Sequence, residues 1–268
     1  MAGHARRPLG PRRLAVLHRP RRAPRAAPLT AAALAWIDAA DRTGTEGAAD
    51  ALWPFWSVTK TVIALLALQL RAEGRLDLDA PRDGRGATLR HLLAHRAGLP
   101  DYGALSDYHA AVARRDPPWS RAELESRSGA AGPLPSPPAP WRYSNIGYAR
   151  ARDAVEAAAG ADLATLLETR LAGPLGLGSL RLARTVADMA RLAPPGLADY
   201  DPGWVLHGCL TGTAADAAAL LHALATGRLL SPADLAEMQA ATPLGGPVPG
   251  RPWTRAGYGL GLMIGEMA

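Results

Sequence analysis

"FWSVTKTV", residues 55–62, contains the only lysine in a chain of 268 residues; the other 29 basic side chains are arginine. Lys60 follows Ser57 by three positions. If a helix starts here, residues i and i+3 share a face and the ammonium can reach the hydroxyl. A buried amine can be held neutral and accept the serine proton, which turns the hydroxyl into a nucleophile. Arginine cannot serve, because its guanidinium stays protonated in proteins. A helix beginning at Ser57 would add a positive dipole end and a free N–H for a developing oxyanion. Ser-x-x-Lys alone is common by chance, and an ordinary surface lysine would satisfy it equally.

The apolar run Val62–Leu70 follows, and "RAEG" (71–74) reads as an exposed last turn stopped by Gly74. A helix apolar nearly all round belongs in the core. The run is about half the roughly 18 residues that a membrane span needs. "TLRHLLAHRAGL" predicts a short helix closed by Gly98. Residues 129–140 are Pro-rich loop, and 148–177 hold two helices broken at Gly160 and ended at "GPLG". "TGTAADAAALLHALATG" and "SPADLAEMQAA" are two more, the second with Ser231 as N-cap and Pro232 at the first helical position. Residues 29–52 fit an Ala-rich helix or a strand entering a turn at "RTG", and "GYGLGLMIGEMA" reads as a strand entered through glycines.

The net charge of +6 belongs to one segment. Residues 1–28 hold eight arginines and no acid, leaving 22 basic against 24 acidic residues in the remainder. The leader reads as a disordered basic arm, with nucleic acid or anionic lipid as the alternative use. Its "LAVL" falls short of the roughly 7–15 apolar residues of a signal peptide, so the chain as written reads as cytoplasmic. Cys209 is the single cysteine, which excludes an intrachain disulfide.

A second singular residue changes the weight of the first. Asn145 is the only asparagine, in "WRYSNIGY", two residues after Tyr143. With nine serines and six tyrosines, both coincidences together arise by chance in below about 0.1% of placements. A turn in which Asn tolerates left-handed backbone explains "YSN" locally but not the pairing. Rival chemistry is thinner. His91 and His95 have the i, i+4 spacing of a zinc pair, but Leu92 stands where a zinc protease needs Glu, and no third ligand presents itself. Ser144 has no base placed for it, and Trp141 reads as packing beside the Tyr–Asn turn.

At these residues the chain resembles the serine β-lactamase and penicillin-binding-protein superfamily, in its class C-like branch of β-lactamases, carboxypeptidases, D-aminopeptidases and esterases. The matching pieces are "PFWSVTKTV", "GRLDLDAP", "LRHLLAHRAGLPDY", "WRYSNIGY", "AGPLGL", "GCLTGTAADAAALLHAL" and "YGLGLMI", in family order over residues 54–264. The resemblance implies an α/β (α+β type) domain over 29–268, with an antiparallel-sheet subdomain and an all-helical subdomain around the site. It implies Ser57 as acylated nucleophile, Lys60 as its proton partner, Tyr143 as second base or relay, and Asn145 as the group that binds the substrate amide and positions Lys60. It makes His95 structural, and it sets His207 in a glycine turn before a helix rather than on the catalytic strand.

The family's third element, Lys-Thr-Gly or His-x-Gly, normally follows the strand resembling "YGLGLMI", and this sequence stops at Ala268. The expectation is therefore a truncated chain whose shortened sheet leaves one face of helix 57–73 exposed. Before Ser57, only "RRLAVLHRP" and "AALAWIDAA" offer strands for the family's hairpin. The reading is a serine hydrolase acting on an amide or ester (a β-lactam, D-amino-acid peptide or small ester), with no cofactor and no nucleic-acid partner. Its rivals are a catalytically impaired relative and a nucleic-acid or membrane-surface binder acting through the leader. Substrate and oligomeric state stay open.

Overall fold

The computed structural model describes residues 32–247 and 253–267, so the basic leader lies outside the described residues. The chain opens with β1 (Ala33–Ile37), β2 (Thr43–Gly47) and β3 (Trp53–Pro54), then enters helix α1 (Val58–Ala72). The helices α2 (Leu89–Leu93), α3 (Ser106–Ala113), α4 (Arg121–Arg127), α5 (Asn145–Ala159), α6 (Leu163–Leu167) and α7 (Gly173–Leu175) follow. After β4 (Arg181–Ala183), α8 (Val186–Met189), β5 (Cys209–Gly212), α9 (Ala214–Ala225) and α10 (Pro232–Gln239), strands β6 (Thr242–Gly245), β7 (Trp253–Tyr258) and β8 (Met263–Met267) complete it. All strand pairs are antiparallel, in the sheets β1-β2, β3-β5-β4 and β6-β7-β8. This mixture of helices and antiparallel sheet is the expected fold class.

Helix α1 is the axis of the core. From Thr59 to Leu68 each of its residues is buried, as an all-round apolar sequence requires. Its end carries the two hydrogen bonds of a Schellman stop, Gly74 N–H to the Arg71 carbonyl and Arg75 N–H to that of Leu70. Its start is fixed from the sheet side. Phe55 N–H donates to the Leu210 carbonyl of β5 (2.7 Å), and Thr59 Oγ1 accepts from Leu210 N–H (3.1 Å). These bonds lock the turn before Ser57 against β5.

Of two strand readings and one exposed face expected from the sequence, the strands form and the bare face does not. Residues 33–47 form a complete β-hairpin, with "AALAWIDAA" supplying β1 and "TGTEG" supplying β2. The strand expected in "GYGLGLMIGEMA" is β8, entered through glycines that form the hairpin turn from β7. That turn lies on α1: Gly261 has φ 71°, its carbonyl accepts from Thr61 Oγ1 (2.6 Å), and an added Cβ would fall 2.6 Å from that of Ala64. No other residue type fits there. Because the turn covers the helix, the predicted bare face on α1 does not occur. Among the described residues the exposed large apolar side chains are on β1 (Leu34, Trp36), α8 (Val186), α9 (Leu221), β8 (Met263, Met267) and, with the first residue of α1, at the mouth of the site (Trp56, Val58).

Candidate active site

Ser57 stands at the N-terminus of α1 in helical geometry and makes no capping bond with its own side chain. The hydroxyl is therefore available. Tyr143 Oη lies 2.6 Å from Ser57 Oγ, and Lys60 Nζ donates to the same oxygen at 3.3 Å. Before it, Trp56 adopts φ 41°, a strained left-handed conformation for a bulky residue. The strain turns the Trp56 indole outward, edge-on to Tyr200 with ring centres 5.5 Å apart. Ser57 is left exposed at the surface of an otherwise buried helix.

Lys60 is only 1% exposed. Besides Ser57 it donates to Asn145 Oδ1 (2.7 Å) and sits 3.0 Å from His207 Nε2. Its ammonium also lies 4.8 Å from the ring centre of Tyr143 and 5.7 Å from that of Tyr148. Burial disfavours the charged form and pulls its pKa down to about 7, against the opposing pull of the Asp101 carboxylate. Burial pushes the Tyr143 phenol the other way, above its ordinary value, while the hydrogen bond to Ser57 lowers it and Asp101 raises it. An amine that sheds its proton near neutrality, beside a hydroxyl and a phenol, can carry a serine proton away and return it.

The second motif is set by its own caps. Ser144 is the N-cap of α5: its Oγ accepts from Gly147 N–H (3.0 Å) and donates to the Pro100 carbonyl (2.6 Å). This buried, doubly used hydroxyl is structural. Asn145 begins α5, and Asp101 receives both its backbone N–H (2.9 Å) and its Nδ2 (3.3 Å). A carboxylate can only accept, so Nδ2 must face Asp101 and Oδ1 must face Lys60. Asp101 thus orients Asn145. Sequence reasoning gave it no role, although it lies in the quoted "GLPDY".

His95 supports the turn from beneath. It is buried with φ 56°, its Nδ1 accepts the Ser144 N–H (3.1 Å), and its ring packs on Tyr143, Tyr148 and Tyr258. Burial and the Lys60 charge hold its pKa down near 3. His91 instead serves the Thr88 capping box of α2, its Nδ1 accepting the Thr88 N–H. Because α2 ends at Leu93, the i, i+4 face predicted for the two histidines is never built. Among the described residues no group of three or more His, Cys, Asp or Glu side chains is placed to hold a metal ion. Trp141 packs on His95 and Tyr258.

His207 is the residue the sequence reading set aside. It follows the short turn Pro202–Trp204 and precedes β5, fully buried with its ring against Lys60. The segment around it is tied to the site by Tyr102 Oη, which donates to the Trp204 carbonyl (2.9 Å) and accepts from Leu206 N–H (3.3 Å). Nothing local in "LHGCL" signals this, since the contact bridges 147 residues.

Comparison with known proteins agrees with this fold. The Beta-lactamase family model matches residues 30–268, and the chain belongs to that family. Penicillin-binding protein 4* of Bacillus subtilis (strain 168) is 29% identical over 167 residues, which are 58% of this chain and 35% of that protein. The chain thus spans about a third of that relative's length. A D-stereospecific amidohydrolase from Streptomyces sp. superposes with a TM-score of 0.71 at 28% identity, over 86% of this chain and 76% of the other. The D-amino acid amidase of Ochrobactrum anthropi SV3, complexed with L-phenylalanine, gives 0.70 at 25% identity over 87% and 75%. The penicillin-binding protein of Bacillus halodurans, at 19% identity and a TM-score of 0.66, shares the fold.

Proposed function

We propose that the chain is a serine hydrolase that opens an amide or ester through an acyl-enzyme on Ser57. The observation that carries this reading is the continuous hydrogen-bonded path from Tyr143 Oη through Ser57 Oγ to Lys60 Nζ, with the amine's pKa brought down to about 7. In the acylation step the Oγ–H proton passes to the Lys60 amine while the oxygen pair bonds to the substrate carbonyl carbon. The carbonyl electrons move onto oxygen, where the α1 N-terminus favours the charge. Collapse expels the amine or alcohol, which takes up a proton relayed through Tyr143. Asn145 positions Lys60 and offers its amide to the substrate. Deacylation repeats the sequence with water.

The substrate class is the finer part of the proposal. Two of the structural neighbours named above act on D-amino-acid amides or with D-stereospecificity by their names, which supports a D-amino-acid amide ahead of a β-lactam or simple ester. The test is labelling of Ser57 by a fluorophosphonate and a fluorescent penicillin, followed by turnover on paired D- and L-amino-acid amides. We expect one label per chain, mapped to Ser57 by mass spectrometry and absent in Ser57→Ala, with faster hydrolysis of the D-amides. Labelling that persists in Ser57→Ala overturns the nucleophile; equal rates on both enantiomers overturn the substrate class. Labelling without any turnover identifies a catalytically impaired relative.

A further inference from the structure

We infer that His207 is a positioning residue: in its Nδ1-protonated tautomer, its Nε2 takes one N–H of the uncharged Lys60 amine and so aims the lone pair at Ser57 Oγ. The inference rests on the proposed roles of Ser57 and Lys60. It follows from counting donors. A neutral amine has two N–H groups and one lone pair, and Lys60 has three polar neighbours within reach: Asn145 Oδ1, His207 Nε2 and Ser57 Oγ. Asn145 can only accept at Oδ1, because Asp101 takes its Nδ2. If His207 Nε2 also accepts, both N–H groups are used and the lone pair has one direction left, toward Ser57. With Asn145 alone the amine can rotate, and the lone pair has no fixed aim. After proton transfer the new third N–H points at Ser57 Oγ, so the ammonium has three donors facing three acceptors and nothing needs to move.

The surroundings favour this tautomer. His207 is fully buried, and the groups whose charge presses on it, Lys60, His95 and Arg152, can each carry only positive charge. Burial with those charges keeps the ring neutral, its pKa well below the ordinary value. An Nε2–H would meet the ammonium donor to donor, or would capture the amine's lone pair and remove the base. The remaining proton then belongs on Nδ1, which makes no hydrogen bond of good geometry, although the Trp56 backbone lies close enough to favour a ring proton. His95, the other buried histidine near Lys60, is already engaged at Nδ1 by Ser144. The two are not interchangeable. Losing the aim of the lone pair should cost about 10–100-fold in acylation, the scale of a misplaced reacting group.

The experiment has two arms on the full chain. Long-range 1H–15N spectra of the 15N-histidine-labelled protein read the tautomer of His207, assigned by its loss in the variants; Nδ1–H is expected. Fluorophosphonate labelling rates are then compared for the parent, His207→Phe, His207→Gln and Lys60→Ala, each checked for folding by thermal melting. His207→Phe should be about 10–100-fold slower, and His207→Gln should recover most of the rate because its Oε1 can take the same N–H. A purely structural role would not yield that rescue. An Nε2–H tautomer, a parental rate in His207→Phe, or no recovery in His207→Gln overturns the inference. Should His207→Phe not fold, the tautomer decides. Lys60→Ala separates the two levels: if it labels at the parental rate the Lys60 reading itself fails, and if it is inert while His207→Phe is unimpaired only the role of His207 falls.

Discussion

The two ends of α1 carry its two basic side chains, and the protein treats them in opposite ways. Lys60, in the first turn, is buried with no ion pair among the described residues, and desolvation brings its pKa down to about 7. Arg71, in the last turn, remains a quarter exposed and bridges Asp234 and Glu237 of α10, the latter at 2.6 Å. Burial there also works against the charge, but the hydrogen bonds Arg71 donates to Glu237 and Asp234 outweigh it and raise the pKa. Arg90 of α2 extends the same network, joining Asp79 (2.6 Å) to Glu237. One end of the helix is built to lose a proton and the other to keep one. On the proposed mechanism, that difference is why a chain that otherwise uses arginine keeps lysine at one position.

The largest expected effect comes from erasing the difference at the first turn. Lys60→Arg keeps the charge and removes the capacity to accept a proton, so acylation of Ser57 should fall by about 10²–10⁴, the usual worth of a general base. Fluorophosphonate labelling measures this, and a parental rate in the Arg variant breaks the comparison. In the parent, the labelling rate should climb through pH about 7 as Lys60 becomes neutral, and should fall roughly tenfold per unit below it. The groups facing Lys60 are Asp101, Tyr143, Tyr148, His95 and His207. Both histidines are held neutral well below that range and both phenols are pushed up by burial, so the limb belongs to the amine. A flat profile between pH 6 and 8 would remove Lys60 from the proton path.

Much of this site was legible before the structure because its chemistry is written in singular residues. One lysine and one asparagine, at motif spacing from a serine and a tyrosine, pointed to a constellation that the structure assembles within hydrogen-bonding distance. The helices were legible from caps and stops such as Ser231, Gly74 and Gly160, which act over a few residues. Asp101 and His207 were not. Each works on a group far away in sequence, and an Asp before a Tyr or a His before a Gly carries no local signature. The hairpin at 33–47 was ambiguous for a different reason: alanines fit helix or strand, and β1 became a strand because it could pair with β2 and pack on α9. The glycines before β8 were legible as a strand entry, but the packing of Gly261 on α1 was not, because close approach to another element is a tertiary fact.

A smaller effect sharpens the comparison through stability. The Lys60 pKa of 10.5 in the unfolded chain drops to about 7 on folding. Between those values the unfolded chain binds a proton that the folded protein has shed, so this group makes stability rise with pH. Lys60→Met lacks that slope. It also strands the acceptors on Asn145 and His207, at a cost that does not depend on pH in this window. The stability of the Met variant relative to the parent should therefore decline by about 2 kcal/mol from pH 7 to pH 9. Urea unfolding of both proteins at the two pH values checks it. A constant difference would mean that Lys60 keeps its proton in the folded state.

The smallest effect is expected at the other end of the helix, where the reciprocal change is Arg71→Lys. Arg71 uses both arms of its guanidinium, one on Asp234 and one on Glu237, which stand three residues apart on α10. A lysine ammonium is a single point and can hold only one of them closely. The charge survives, the carboxylates are partly solvated, and Arg90 still serves Glu237. The loss should be about 1 kcal/mol, shrinking further at high salt as the exposed part of the network is screened. Ser57 labelling should be unchanged, because the substitution lies about four helical turns from the hydroxyl and alters no donor or acceptor near it. Denaturant unfolding at low and high salt measures the first expectation and fluorophosphonate labelling the second. If Arg71→Lys slowed labelling as much as Lys60→Arg, the two ends of α1 would be parts of one electrostatic device, and the contrast drawn between them would be wrong.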